Sequence, residues 1–99
     1  KFAITDGGLH QHLAATGNFG QIVRKNYPVV IGNKMDSTEK EIVSIVGRLC
    51  TPLDLLANEM LLPKLEIDDL VLILQSGAYG YTASPHDFLS HPRPKEILI

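Results

Sequence analysis

The sequence predicts a mainly β domain, an antiparallel β-barrel or sandwich with one or two short helices. Short runs rich in valine and isoleucine recur along the 99 residues, turn-forming residues separate these runs, and no long segment has helical periodicity. The chain has no internal repeat, low-complexity tract or linker. One folded domain is therefore expected.

Five runs have the length and composition of strands. In chain order they are FAIT (2–5), YPVVIGN (27–33), EIVSIVGRL (41–49), DLVLILQS (69–76) and KEILI (95–99). The fourth run is continuously apolar after the polar pair Asp68-Asp69, which is typical of a strand buried on both faces. Alternation and apolar content predict four core residues, namely Val43, Ile45, Val71 and Ile73.

Two stretches suit short helices. The first is LHQHLAAT (9–16), and the second is PLDLLANEMLL (52–62), where Pro52 suits a first helical turn. The overlapping stretch DLLANEMLLP (54–63) equally suits an extended edge strand, because its leucines fall at mixed spacing. Clusters of Gly, Pro, Asn, Asp and Ser predict loops between the regular elements, at 6–8, 16–20, 33–40 and 84–94.

Charge and composition restrict the classes of partner and compartment. A net charge of −2, with nine basic residues scattered along the chain, leaves no electrostatic footprint for nucleic acid or an anionic membrane. The longest apolar runs are too short to span a bilayer. A single cysteine excludes an internal disulfide and favours a reducing compartment, so the cytoplasm is expected. Because Lys1 leads directly into a strand-like run, the chain is expected to be part of a longer polypeptide.

Three side chains are candidates for chemistry. Cys50, in GRLCTPLD (47–54), lies at a bend where an exposed thiol can exchange protons, although a lone cysteine is more often buried filler. Asp54 is expected to cap the following turn or to be solvated. Tyr79, between two glycines in SGAYG, is either a hydroxyl donor to a phosphate or an aromatic plug at the domain edge.

The four histidines raise the question of a metal site. His10 and His12 form an H-x-H pair, and His86 and His91 lie in the proline-rich loop. No Cys, Asp or Glu completes a recognisable ligand spacing, so no metal is expected. A hydrolase triad of Cys50, a histidine and Asp54 remains an alternative, but it lacks a nucleophile elbow.

Three motifs, taken in order, resemble the C-terminal β-domain of the fold-type III pyridoxal-phosphate decarboxylases, the group of diaminopimelate, ornithine and arginine decarboxylases. They are DGG (6–8), GRLCTPLD (47–54) and DDLVLILQSGAYG (68–80), of which the second is similar to G-P-x-C-x-x-x-D and the third to G-D-x-x-x-x-x-x-x-G-A-Y. The resemblance implies that residues 1–99 are the C-terminal β-domain of a two-domain enzyme. An N-terminal α/β barrel, absent from this chain, would supply the lysine that anchors pyridoxal 5'-phosphate.

The resemblance also implies roles for individual residues. Cys50 would enter the active site of the partner subunit in a homodimer and donate a proton to the substrate carbon that loses CO2. Tyr79 would hydrogen-bond the cofactor phosphate within its own subunit, and Asp54 would lie near the dimer interface, where a lysine neutralises it. The resemblance therefore favours a working thiol at position 50.

Several residues depart from the family pattern. Thr51 stands where decarboxylases of diamino substrates carry Asp or Glu, and Ala14 stands where diaminopimelate decarboxylases carry a carboxylate-binding arginine. Arg48 replaces the motif proline, and Leu89 replaces an asparagine. Because a hydroxyl cannot pair with an ammonium as a carboxylate does, a distal amine of the substrate is either absent or recognised by other residues. These departures imply an amino-acid substrate for which diaminopimelate is a poor substitute.

The stretch DGGLHQHLAATGNFGQ (6–21) is most similar to decarboxylases found beside acyl-activating enzymes and carrier proteins. The alternative function is a non-catalytic β-barrel module that dimerises or binds a carrier protein. The family thiol and tyrosine favour the decarboxylase, since a module without catalysis has no need of either.

Overall fold

The computed structural model describes residues 1–99 and contains five strands with little helix. The strands are β1 (Phe2–Ile4), β2 (Val29–Ile31), β3 (Lys40–Val46), β4 (Leu55–Pro63) and β5 (Val71–Ile73). One α-helical turn, α1 (Tyr79–Thr82), and two 3₁₀ turns, Leu13–Thr16 and Phe88–Ser90, are the only helical elements. None of them has the length and apolar character needed to cross a membrane. The prediction of a mainly β domain with few helices is confirmed.

The strands form two small sheets and no closed barrel, and one strand pair is parallel. Of the predicted barrel or sandwich, the barrel alternative is therefore wrong, as is purely antiparallel pairing. In the first sheet, β3 lies in the centre and pairs in parallel with β1 and antiparallel with β4. In the second sheet, β2 pairs antiparallel with β5. The parallel pair arises because the long connection of residues 5–39 carries the chain from the end of β1 back to the level of its start.

The core lies between the two sheets. It consists of nine buried residues, which are Ala15, Val29, Ile31, Val43, Ile45, Leu56, Ala57, Leu62 and Leu65. Val43 and Ile45 are fully buried, as predicted, whereas Val71 and Ile73 are half-buried and pack against the edge of this cluster. Their neighbour Leu72 is 43% exposed, so the prediction of a strand buried on both faces is wrong. The physical reason is that β5 is covered on one face only within this chain.

Residues 55–63 form the edge strand β4, whereas 52–54 lie in the preceding loop, so the strand alternative is confirmed and the helical one is wrong. Cross-strand pairing of its apolar side chains with β3 decides the conformation. A register shift interrupts this pairing between Val43 and Ile45, and Glu59 on the opposite strand has a positive φ of 48°. This geometry is a β-bulge, which bends β4 around the core.

Two predicted elements are shorter or missing. The 9–16 stretch forms only the single 3₁₀ turn, which ends where Gly17 adopts a left-handed φ of 77° and donates its N–H to the Ala14 carbonyl. KEILI (95–99) is exposed and pairs with no strand, although its composition predicts one. A strand needs a neighbouring edge for its backbone groups, and no edge within the chain lies alongside this segment.

Candidate active-site domain

The segment between β3 and β4 is a tight loop closed by its own backbone. The Gly47 N–H donates to the Asp54 carbonyl at 3.0 Å, and the Thr51 N–H donates to the Leu49 carbonyl at 2.9 Å. Leu49 is buried, whereas the next residue, Cys50, is exposed. The loop therefore presents the thiol to solvent, and the alternative of buried filler is wrong for this residue.

Asp54 lies beneath this loop, and its carboxylate holds two backbone segments. The residue is only 4% exposed. Its Oδ1 accepts the Leu9 N–H at 2.8 Å, and its Oδ2 accepts the Leu49 N–H at 2.9 Å. The expectation that Asp54 is solvated is wrong, because a buried carboxylate is tolerated where both of its oxygens accept hydrogen bonds.

Two glycines leave the space that this carboxylate occupies. A Cβ on Gly47 would overlap Asp54 Oδ2, and a Cβ on Gly8 would lie 2.8 Å from the same oxygen. Neither glycine has a positive φ, so the requirement is for space and not for an unusual backbone conformation. The glycines of the DGG and GRLC motifs thus meet at one side chain.

Thr51 takes part in the same loop. Its Oγ1 accepts the Leu53 N–H at 3.3 Å, and the residue is half-buried. Ala14 is 6% exposed in the 3₁₀ turn. Neither position offers a charge to a ligand.

The segment that follows the DGG motif carries two histidines with lowered pKa values. His10 is fully buried, its ring centroid lies 5.5 Å from that of His91, and neither of its ring nitrogens has a hydrogen-bond partner. Burial, followed by the nearby His91, lowers the pKa of His10. Burial also lowers the pKa of His12, whose Nδ1 accepts the Ala15 N–H at 3.3 Å. No set of three or more His, Cys, Asp or Glu side chains is grouped closely enough to hold a metal ion.

Tyr79 begins the helical turn α1 and does not lie directly at the end of β5. Its side chain is 63% exposed beside Phe19, whose ring centroid lies 6.2 Å away. The exposed ring does not plug the domain edge within this chain. Its hydroxyl is therefore open to a ligand.

The sequence analysis did not identify Ser84, which links α1 to the 3₁₀ turn Leu13–Thr16. Its buried Oγ accepts the Leu13 N–H at 2.9 Å and donates to the Gly80 carbonyl at 2.5 Å. Gly80 follows Tyr79 directly, so this serine sets the position of the tyrosine turn. The available signal was the Ser84-Pro85 pair, since serine before proline favours local bonding to the backbone.

The DGG segment also borders an open cleft of about 900 Å³. The cleft runs between β1 with its following loop and β5, and His12 lies on its wall. The 3–12 region thus contacts the loop of Cys50 through Asp54 and borders the cleft. The 3₁₀ turn that follows this region contacts Ser84, which also holds the turn of Tyr79.

Known sequences resemble this chain along nearly its whole length. L-glutamyl-[BtrI acyl-carrier protein] decarboxylase of Niallia circulans is 48% identical over 98% of this chain. Diaminopimelate decarboxylase of Archaeoglobus fulgidus is 32% identical over 93% of it. The chain spans 23% of the length of each of these relatives.

Solved structures agree in fold. Diaminopimelate decarboxylase from Methanocaldococcus jannaschii, in complex with L-lysine, matches with a TM-score of 0.74 at 24% identity, over 92% of this chain and 20% of that one. The family model described as "pyridoxal-dependent decarboxylase, C-terminal sheet domain" matches residues 1–77. The resemblance noted in the three motifs is confirmed, and the chain belongs to the family of pyridoxal-dependent decarboxylase C-terminal sheet domains.

Proposed function

We propose that the chain is the C-terminal domain of a pyridoxal-5'-phosphate-dependent decarboxylase that acts on an amino acid carried by an acyl-carrier protein. The 48% identity to L-glutamyl-[BtrI acyl-carrier protein] decarboxylase, over 98% of the chain, carries this proposal. The enzyme works as a homodimer in which residues 1–99 complete the partner's active site. An N-terminal α/β barrel of the same polypeptide holds the anchoring lysine.

Cys50 is the proposed proton donor. Bound pyridoxal phosphate supplies an electron sink for the negative charge left when CO2 departs. The domain has to deliver one proton to the carbon that has lost CO2, and an exposed thiol on a closed loop suits this task. A free thiol stays reduced in the cytoplasm, where the enzyme is expected to work.

Tyr79 is the proposed phosphate ligand. Its ring is exposed, so the hydroxyl is free to donate to a phosphate oxygen, and the Ser84 contacts hold its helical turn in place. This side chain fits the cofactor's phosphate. We expect Tyr79→Phe to weaken cofactor binding by about 0.5–1.5 kcal/mol, or somewhat more in a desolvated site.

The substrate proposal is supported by two positions that lack charge. Thr51 uses its hydroxyl to accept the Leu53 N–H, and Ala14 is a buried methyl group. Neither provides the carboxylate or the guanidinium that would bind the distal end of free diaminopimelate. If both contacts are simply vacated, each loss weakens discrimination by roughly 1.5–3 kcal/mol.

The substrate experiment compares two substrates with the full-length polypeptide. Decarboxylation of a carrier-bound L-glutamyl group is expected to be efficient, and that of free diaminopimelate poor. Efficiency on diaminopimelate equal to that of a dedicated diaminopimelate decarboxylase would contradict the substrate proposal.

A complementation experiment tests the shared active site. A Cys50→Ala chain is mixed with a chain that lacks the barrel lysine; both defects fall in one composite site, and the other site of each heterodimer is intact. Random re-pairing should restore about a quarter of normal activity, because half of the dimers are mixed and each has one good site of two. Heterodimers without activity would contradict the action of Cys50 in the partner's site.

The alternative function is a non-catalytic β module that dimerises or binds a carrier protein. Under this alternative, the full-length polypeptide would retain no pyridoxal phosphate after dialysis and would release no CO2 from any amino acid. Under both functions, the 99-residue chain by itself is expected neither to retain pyridoxal phosphate nor to release CO2, since the anchoring lysine is proposed to lie in the barrel. Only the full-length polypeptide distinguishes the two functions.

A further inference from the structure

We infer that Asp54 is a positioning residue. Its carboxylate holds the Cys50 loop (47–54) against the DGG segment, which is the DGG motif with Leu9 (6–9), and thereby sets the direction of the thiol. The inference rests on the proposed function for the role of Cys50 as proton donor. The clamp itself is a property of this chain alone, because both of its partners are backbone groups of the same chain.

The clamp joins two segments that are far apart along the chain. Leu9 lies 45 residues before Asp54 in the sequence, whereas Leu49 lies five residues before it. The two amide groups point at the two oxygens of one carboxylate, at 2.8 and 2.9 Å. Hydrogen bonds to an ionised acceptor are roughly twice as strong as neutral ones, and burial protects them from water.

Cys50 is controlled through the residue before it. The Leu49 N–H is held by Asp54, its carbonyl accepts the Thr51 N–H, and its side chain is only 8% exposed. With both peptide groups and the side chain of Leu49 held, the backbone leading into Cys50 has one orientation. A thiol that protonates one chosen carbon needs this fixed direction.

The carboxylate is specifically required at position 54. An asparagine keeps the size of the side chain but replaces one oxygen by an NH2 group, which cannot accept the facing backbone N–H. One of the two loops would then be released. The overlap between a Cβ at Gly47 and Asp54 Oδ2 shows how closely the loop encloses the carboxylate.

The test uses the full-length polypeptide, with Asp54→Asn compared with the wild type. Asp36→Asn is the matched control, since Asp36 is an exposed aspartate outside the site. Amide hydrogen exchange at Leu9 and Leu49 should accelerate by about tenfold or more in Asp54→Asn, with the amides of β3 and β4 unchanged. The rate at which iodoacetamide alkylates Cys50 should change by about threefold or more, and kcat should fall by about tenfold or more with KM nearly constant.

A second pair of variants moves the carboxylate without removing it. A Cβ at Gly8 would lie 2.8 and 2.9 Å from the two Asp54 oxygens, which are pinned. A Cβ at Gly7 would lie 2.7 Å from Gln11 Oε1, the end of a flexible side chain. Gly8→Ala should therefore reproduce the changes seen in Asp54→Asn, whereas Gly7→Ala should not. If Asp54→Asn does not fold, the comparison of Gly8→Ala with Gly7→Ala tests the inference in its place.

Three results would overturn the inference. The first is wild-type exchange at Leu9 and Leu49 in Asp54→Asn. The second is exchange that accelerates equally throughout β3 and β4, which would indicate a merely structural role. The third is local acceleration with unchanged alkylation and unchanged kcat. Failure of the proposed function gives a different result, because the wild-type polypeptide would then lack decarboxylase activity. Amide hydrogen exchange and the rate of Cys50 alkylation would still show whether Asp54 positions Cys50.

Discussion

Replacing Ile45 by alanine provides a quantitative test of the register of the central strand. Ile45 is fully buried, and its neighbours in register on the two flanking strands are Ala3 and Ala57. The substitution removes three carbon groups, each contributing about 0.8 kcal/mol, which gives about 2.4 kcal/mol before any cavity forms. Because both flanking residues are already small, they cannot fill the space, and the total loss should reach about 3–4 kcal/mol.

The assay is urea unfolding of the 99-residue chain, followed by circular dichroism or by the fluorescence of its three tyrosines, since it has no tryptophan. Ile42→Ala is the control, because Ile42 lies on the opposite face of the same strand and is 55% exposed. That control should lose about 1 kcal/mol. Equal losses in the two variants, or a larger loss for Ile42→Ala, would mean that the register is wrong by one residue and that the two faces are exchanged.

Three further predictions concern pH and backbone conformation in the same chain. A hydrogen bond from Lys34 at 2.8 Å, together with hydrogen bonds from Asn33 and the Glu66 amide, lowers the pKa of Asp69 to about 2. The contribution of ionised Asp69 to stability is therefore present above pH 3.8 and is lost as the pH falls toward about 2. The urea midpoint of Asp69→Asn should not show this loss over the same pH range. If the midpoints of the wild type and the variant fall in parallel as the pH is lowered, the ion pair is contradicted. Burial lowers the pKa of His10, so the unfolded chain binds more protons and stability falls as the pH drops through 6.5. His10→Phe should show a smaller fall between about pH 7.5 and 5, and an unchanged slope would count against burial of the imidazole. Glu59 has a φ of 48°, a left-handed conformation that glycine adopts without steric cost, and Glu59→Gly should raise the unfolding free energy by about 0.5 kcal/mol. A loss of stability in this variant would argue against the bulge.

Local pattern was enough for part of the fold and of the candidate site. Alternating apolar residues place Val43 and Ile45 in the core, because side chains along a strand alternate between two faces whatever the partner strand is. The three motifs indicated the family for a similar reason, since each is a short segment whose spacing is visible without the fold. Cys50 could be singled out in this way, and its exposure agrees with a working thiol.

Other features depended on groups that are distant along the chain. The 52–62 stretch was ambiguous between helix and strand until its pairing with β3 decided the matter. KEILI (95–99) has strand composition but no neighbouring edge within the chain, so composition alone predicted an element that the chain does not form. Local pattern could not show that the barrel stays open, because closure depends on whether the edge strands of the two sheets pair with each other.

The sequence by itself determined a mainly β domain, the core face of β3, the family and the thiol at position 50, because each of these follows from residues close together in the chain. Only the tertiary structure decided the parallel pairing of β1 with β3 and the burial of Asp54. The partner of Asp54 at Leu9 is 45 residues away, and neither segment carries a local signal of the other. A buried charge is stable only where the fold delivers its hydrogen-bond donors, so its role could be recognised only once both loops were in place.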